Sequence, residues 1–219
     1  GSANPTFFEL FGFIPDSFVG NPDLKPETSR GWDLGLTADF CSGACRTDIT
    51  YFRSTLNDEV TTTCAPPTFL AKAVNIEGAS RRDGWEATFG ADIGSAVAVD
   101  AHWTGLNSED AAGEAEVRRP RRSGGVNLGY AFAGDKGRAS VSWVYYGDMQ
   151  DNEFIMATPE IRANIKGVSL VNLGISYEAS SHTTAFVRAQ NVLDKEYQQV
   201  LGFKAPGATA SIGVIISLR

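Results

Sequence analysis

The chain has 219 residues, of which 42% are hydrophobic and 21% charged, and its formal net charge is −7. No segment approaches the roughly 18 consecutive apolar residues that a membrane-spanning helix requires. The acidic balance argues against a sequence-independent nucleic-acid binder, which needs clustered excess lysine and arginine, so no nucleic-acid partner is expected.

Strict alternation of apolar and polar residues runs along most of the chain. In the first clear case the apolar residues are Trp32, Leu34, Leu36, Ala38 and Phe40. Because successive side chains of a strand point to opposite faces, this pattern predicts a strand with one apolar and one polar face. Roughly nine strands and no helix are predicted. The strands cover residues 32–40, 46–56, 85–93, 97–104, 126–132, 139–145, 171–177, 183–192 and 210–218.

The segments between these strands alternate in length. Short turns are predicted at residues 41–45, 94–95, 133–137 and 180–182, and long polar loops at residues 61–82, 105–123 and 147–167. Short turns at one end of the strands and long loops at the other are the arrangement of outer-membrane β-barrels. A soluble β-sandwich is the alternative, because it also alternates and buries its apolar face between two sheets.

The aromatic residues favour the membrane barrel over the sandwich. Most lie on the apolar face near strand ends, as interfacial belts require. The opposite face carries carboxylates such as Asp33, Asp39 and Glu86, which a dry core would not hold unpaired. The predicted fold class is therefore all-β, an antiparallel transmembrane β-barrel.

Three cysteines form an odd set. Cys41 and Cys45 flank a predicted short turn, and Cys64 stands alone. In an oxidising compartment the first two could form a disulfide across the turn, while free thiols and a metal pair are the alternatives. Only two histidines are present and neither is placed to complete a metal site, so no metal and no cofactor are expected.

Four short motifs, in a fixed order along the chain, resemble those of the TonB-dependent receptors. The segments are NPTFFELFG at residues 4–12, NPDLKPE at 21–27, NIEGA with GWE at 75–86, and NVLDKEY at 191–197. Structural roles are expected for the motif residues Asn21, Pro22, Leu24, Lys25, Pro26, Glu27, Asn191, Leu193, Asp194 and Tyr197. Pro22 and Pro26 fix φ and hold their loop extended.

The resemblance implies the C-terminal part of a receptor barrel, spanning residues 1–219. Receptors of this family are 22-stranded barrels with a plugged lumen, preceded by a short TonB box. About nine strands cannot close such a barrel, so the plug, the TonB box and the N-terminal strands are expected to be absent from this chain. They would belong to the same receptor, on the same or a separate polypeptide.

The family implies energised import of a scarce ligand and no enzymatic reaction. An iron–siderophore complex is the first expectation, with cobalamin, an oligosaccharide or a peptide as alternatives. A non-transport outer-membrane binding or adhesin barrel is the alternative class. The implied partners are the rest of the receptor, TonB-ExbB-ExbD acting on the missing part, the ligand, and outer-membrane lipid including lipopolysaccharide.

Ligand contacts are expected in the long loops. The basic residues proposed for this role are Arg118, Arg119, Arg121 and Arg122, and the aromatic ones are Phe69, Phe154 and Phe203. Guanidinium groups suit carboxylates and phosphates, so the basic run could attract an anionic ferric siderophore. Contact with lipopolysaccharide phosphates, or a solvated loop without a ligand, remains open for the same run.

Overall fold

A computed structural model of the chain describes residues 1–64, 70–153 and 161–217. The strands in these residues are β1 (Ser2–Ala3), β2 (Phe13–Ile14), β3 (Phe18–Val19), β4 (Glu27–Phe40), β5 (Cys45–Asn57), β6 (Val60–Cys64), β7 (Ala71–Asn75), β8 (Ala79–Ile93), β9 (Val97–Glu109), β10 (Arg122–Phe132), β11 (Gly137–Tyr146), β12 (Met149–Asn152), β13 (Arg162–Ile165), β14 (Val168–Ser180), β15 (Thr183–Gln190), β16 (Gln198–Val200), β17 (Phe203–Lys204) and β18 (Thr209–Ile216). One short helix, α1 (Phe7–Phe11), and one 3₁₀ turn, Cys41–Gly43, accompany them. No helix in the described ranges has the length and apolarity to cross a membrane.

The large sheet confirms the predicted strands. Among the described residues it has ten strands in the order β1-β4-β5-β8-β9-β10-β11-β14-β15-β18. β1 has two residues, while each of the other nine has at least eight and corresponds to one predicted strand. Several extend further than the alternation indicated, because their loop-side ends carry mainly polar residues.

Pairing in register produces one apolar face. In the β10–β11 pair, Val126 lies opposite Trp143 and Leu128 lies opposite Val141. Residues opposite each other on neighbouring strands share a face, so these four side chains lie on the same side. We call this side the apolar face, and the side of the residues between them, such as Asn127 and Ser142, the polar face.

Burial decides between the barrel and the sandwich. Within the described residues the buried apolar side chains are Phe18, Leu24, Ala73, Ile165 and Leu170. The strand residues that a sandwich would bury are instead exposed, with Leu34 at 73% and Ile212 at 83%. Such a large exposed apolar surface is typical of a transmembrane barrel, whose outer face contacts lipid chains.

The segments predicted as long loops contain further strands. β6 pairs with β7 in a four-stranded sheet of order β2-β3-β7-β6, and β12 pairs with β13. The alternation missed these strands because each has only four or five residues, too few to show a clear pattern, as in MQDN of β12. Helix α1 was also missed. A capping box stabilises the start of this helix, since the Thr6 hydroxyl accepts from the Glu9 amide and the Glu9 carboxylate accepts from the Thr6 amide.

The chain forms two compact units. The first comprises Gly1–Asp33, Phe52–Asp83 and Asn107–Glu116. It holds helix α1 and the four-stranded sheet around a small core, in which Phe18, Leu24 and Ala73 are buried.

The second unit comprises Leu34–Tyr51, Gly84–Leu106 and Val117–Arg219. It contains the two-stranded sheets β12–β13 and β16–β17 and the complete strands β10, β11, β14, β15 and β18. Its buried apolar residues are Ile165 and Leu170.

Candidate ligand-binding site

An open pocket lies on the polar face of the second unit, where the strands lead into the long loops. Its volume is about 280 Å³. Strands β11, β14 and β15 contribute Tyr146, Asn172 and Gln190, and the segment before β18 contributes Tyr197 and Gln199. We call it the polar-face pocket. Its phenol and amide groups offer both donors and acceptors of hydrogen bonds.

A second pocket of about 460 Å³ shares Tyr197 with the first. Lys166 and Lys204 line it together with Glu196. The Lys204 ammonium lies 3.4 Å from the Glu196 carboxylate, and both side chains are exposed. Two cations and one anion therefore leave this loop pocket with an excess of positive charge.

The loops around these pockets are joined by one buried carboxylate. Asp151 of β12 is fully buried, with 0% exposure. One carboxylate oxygen accepts from the Arg118 guanidinium at 2.8 Å and from the Asn152 amide at 2.9 Å, and the other accepts from the Leu201 amide at 2.8 Å. Burial raises the pKa of Asp151, but these hydrogen bonds and the Arg118 charge outweigh it and hold the pKa below its usual value. Three loops thus converge on one ionised group.

The structure separates the residues of the basic run. Arg118 is committed to Asp151, and Arg119 also interacts with a neighbour. Arg121 and Arg122 are exposed. Arg122 begins β10, and by the alternation of that strand it lies on the apolar face, away from the polar-face pocket. The four arginines therefore have different surroundings, and their role in ligand binding stays a prediction.

Of the three aromatic residues predicted to contact the ligand, the structure describes Phe203. Phe203 is 66% exposed in the β16–β17 hairpin, close to the loop pocket residue Lys204. Phe69 and Phe154 lie outside the described residues. Sequence analysis did not single out Tyr146, Gln190 or Gln199. Tyr146 had a usable signal, because an aromatic on the polar side of an alternating strand breaks the pattern.

The motif at residues 191–197 shapes the wall of the polar-face pocket. Asn191 is buried, and its side-chain amide donates to the carbonyls of Lys195 and Pro206. Its side-chain oxygen accepts from the Lys195 amide. Asp194 accepts from the Ala208 amide. These contacts hold the chain before β18 against the end of β15.

The motif at residues 21–27 forms several hydrogen bonds within the first unit. The Asn21 side chain donates to the Ala73 carbonyl, and the Lys25 amide donates to the Asn75 side chain. The Glu27 carboxylate accepts from the Val60 amide, while Leu24 is buried beside Ala73. The motif therefore docks the chain before β4 onto the β6–β7 hairpin.

The described part of the chain also contains potential metal ligands and three cysteines. No group of three or more histidine, cysteine or acidic residues is arranged there to hold a metal ion. Cys41, Cys45 and Cys64 are free thiols.

Comparison with models of known protein families identifies the family of this chain. Residues 1–192 match the family model described as TonB dependent receptor-like, beta-barrel. The chain belongs to the TonB-dependent receptors. These receptors are outer-membrane proteins of Gram-negative bacteria, which places the chain in the outer membrane.

Solved structures of TonB-dependent receptors share the fold. The pyoverdine outer membrane receptor FpvA from Pseudomonas aeruginosa PAO1, bound to pyoverdine, is 17% identical with a TM-score of 0.73, covering 94% of this chain and 31% of FpvA. The copper transporter OprC is 17% identical with a TM-score of 0.75, covering 99% and 35%. The siderophore receptor PirA from Acinetobacter baumannii is 17% identical with a TM-score of 0.72, covering 90% and 32%. The chain thus spans about a third of the length of these receptors.

Proposed function

We propose that this chain forms the C-terminal barrel wall and loops of a receptor that imports a ferric siderophore, with energy delivered through TonB. The observation that carries the proposal is the polar-face pocket, with Tyr146, Tyr197 and Gln199 in its lining. It opens where a ligand entering past the long loops would first meet the wall. Residues 1–219 would be completed by a plug and N-terminal strands.

The chemistry of the two pockets suits such a ligand. A ferric siderophore presents oxygen atoms around the metal and often carries negative charge. Phenol and amide groups hydrogen bond to such oxygens, and the positive excess from Lys166 and Lys204 attracts the charge. FpvA bound to pyoverdine and the siderophore receptor PirA, both similar in fold, support this ligand class.

Ligand binding should be measured on the complete receptor, purified in detergent. The panel comprises ferric hydroxamate, catecholate and carboxylate siderophores, cobalamin, an oligosaccharide mixture and a peptide mixture. Tyr197→Phe and Gln199→Ala should weaken binding by roughly three- to tenfold, the value of one or two hydrogen bonds. Tyr177→Phe on the apolar face and Gln150→Ala, which lines neither pocket, are the matched controls.

Uptake separates transport from simple binding. Cells that carry the receptor should accumulate radioactive iron from the ferric siderophore only when TonB-ExbB-ExbD is intact. Tight binding without TonB-dependent accumulation would favour the binding or adhesin barrel instead. Selective binding of cobalamin, an oligosaccharide or a peptide would keep the transporter class and replace the ligand.

A further inference from the structure

Arg122 occupies an unusual place for a cation, on the apolar face of the sheet. It is paired with Gly105 of β9, and its carbonyl accepts from the Gly147 amide at 2.8 Å. A Cβ built on Gly147 would lie 3.6 Å from the Arg122 Cβ, so both positions share this face. Val126 and Leu128 follow on the same face further along β10.

Three stacked aromatic rings lie beside Arg122. The Trp103 and Tyr145 rings are 5.7 Å apart and inclined by 5°, and the Tyr145 and Trp143 rings are 6.0 Å apart and inclined by 8°. The Trp103 ring covers Gly124, where an added Cβ would come within 2.5 Å of it. Arg122 is two residues before Gly124, so it stands at the loop-side edge of this aromatic patch.

One side of Arg122 leaves space for a ligand. Its partner on β9 is Gly105, where an added Cβ would meet nothing within 4 Å, whereas Gly147 on the other side is buried. The Tyr145 hydroxyl reaches to 3.5 Å from the Cβ position of Gly147 and so points towards the level of Arg122. Arg122 forms no ion pair with any residue that the structure describes.

The depth of this patch in the membrane identifies the chemistry that Arg122 meets. Aromatic belts of outer-membrane barrels lie at the boundary between lipid chains and headgroups. A cation just beyond the belt on the loop side is at headgroup depth. A guanidinium group there binds phosphate oxygens in a bidentate manner, with stronger hydrogen bonds than neutral partners provide.

We propose that Arg122 and the Tyr145 hydroxyl bind the phosphate of a phosphorylated lipid headgroup in the outer leaflet. The lipid chains would lie along the apolar face below Trp103 and Trp143, and the open side at Gly105 would admit the headgroup. This site lies on the opposite face of the sheet from the polar-face pocket. It depends on the outer-membrane location and not on the identity of the imported ligand.

The test is lipid binding to the complete receptor in zwitterionic detergent, measured by native mass spectrometry. The probes are phosphorylated lipid A, the same lipid after removal of its phosphates, and inorganic phosphate as a competitor. Arg122→Gln should weaken binding of phosphorylated lipid A on the order of tenfold, the effect of losing charge-assisted hydrogen bonds. Arg122→Lys should retain part of the affinity, and Tyr145→Phe should weaken it several-fold through the loss of one hydrogen bond.

Arg188→Gln is the matched control, because Arg188 stands on the polar face of β15 over the Phe186 ring. It should leave lipid binding unchanged. Far-ultraviolet circular dichroism of each variant verifies the fold. Equal binding by Arg122→Gln and the unmodified receptor, an equal loss in Arg188→Gln, or equal binding of the dephosphorylated lipid would each overturn the proposal. Displacement of the lipid by millimolar inorganic phosphate would instead indicate a site for free phosphate.

Discussion

A single carboxylate, that of Asp151, joins several long loops of the second unit through hydrogen bonds. Its two oxygens accept three hydrogen bonds, and its charge faces the Arg118 guanidinium. An ionised carboxylate with no exposed surface is tolerated only when such partners compensate the lost hydration. Removing either the charge or the acceptor atoms should therefore release Arg118 and Leu201 together.

Asp151→Asn keeps the size of the side chain and removes its charge. We expect faster hydrogen exchange at the Leu201 amide and earlier proteolysis of the surrounding loops, because charged hydrogen bonds worth about 1.5–3 kcal/mol are lost. Hydrogen–deuterium exchange with mass spectrometry measures this. Asp148→Asn is the matched control, since Asp148 is exposed and accepts from one amide, that of Gly167. Unchanged exchange in Asp151→Asn would show that the loops are held by other contacts.

Acidification should have the same effect on the unmodified receptor. The pKa of Asp151 is lower in the folded state than the usual value of about 3.9 for an unfolded chain. A depressed carboxyl pKa contributes stability that is complete above the unfolded value and is lost as the pH falls through the folded one. We expect loop exchange, corrected for its intrinsic pH dependence, to rise only below about pH 4. A rise already between pH 5 and 7 would point to a different group.

The Cys41–Cys45 pair offers a second test at a single site. Cys41 begins a tight turn that leads into β5 at Cys45, and both Cys41 and Ser42 adopt positive φ in it. We expect the Cys41 and Cys45 thiols to form a disulfide in receptor purified from the cell envelope.

A thiol–disulfide oxidant of the periplasm would accept the two electrons of this oxidation, and two protons would be released. Intact mass without reductant should be lower by two hydrogen atoms. Cys64→Ser should retain that difference, and Cys41→Ser should abolish it. Alkylation of all three thiols without prior reduction would contradict the pairing.

At the scale of elements, the connection from β15 to β18 is organised by Asn191. This residue adopts a positive φ of 49°, which asparagine and aspartate tolerate better than most residues. Its backbone amide donates to the Asn172 side chain of β14, and its own side chain bonds Lys195 and Pro206. One buried side chain thus fixes the path by which the chain re-enters the sheet.

Asn191→Ala should destabilise the receptor by about 1–3 kcal/mol, because it removes the three hydrogen bonds of a buried side chain and keeps an unfavourable φ. Asn191→Asp should be no milder, since it keeps the acceptor for the Lys195 amide but places a buried carboxylate oxygen against the Lys195 and Pro206 carbonyls. Urea-induced unfolding in detergent, followed by tryptophan fluorescence, measures both losses. An aspartate variant as stable as the unmodified receptor would rule out this explanation.

The long strands were predictable from the sequence because each has one apolar face and one polar face, so apolar and polar residues alternate along it. Val126 and Leu128 illustrate this, since both are exposed in the structure although both are apolar. Strands β6 and β12 have five and four residues, and each is too short and too poor in apolar residues to show such a pattern. The polar-face pocket depends on Gln199 and Tyr146, which are distant in sequence and meet only through the fold. Continuing the alternation backwards from Val126 would have placed Arg122 on the apolar face.

At the scale of the whole molecule, the apolar face and the edges of the large sheet dominate. Among the described residues, β18 pairs only with β15, and the far edge of β4 pairs with residues 1–3 only at Glu27, Thr28 and Ser29. Unpaired strand edges present rows of free amide and carbonyl groups, which recruit further strands. Together with exposed apolar side chains such as Ile212 and Leu34, these edges favour association with lipid and with further strands.

Residues 1–219 expressed alone should therefore associate rather than remain monomeric. We expect oligomers in detergent and aggregation without it, measured by size-exclusion chromatography with light scattering. Co-expression with the plug and the N-terminal strands of the same receptor should yield a defined one-to-one complex, because those strands would pair with the edges at β4 and β18. A stable monomer at micromolar concentration without detergent would contradict both the exposed apolar face and the need for further strands. Oligomers that persist when the remaining strands are supplied would show that edge pairing does not govern the assembly, and would leave the apolar face as its cause.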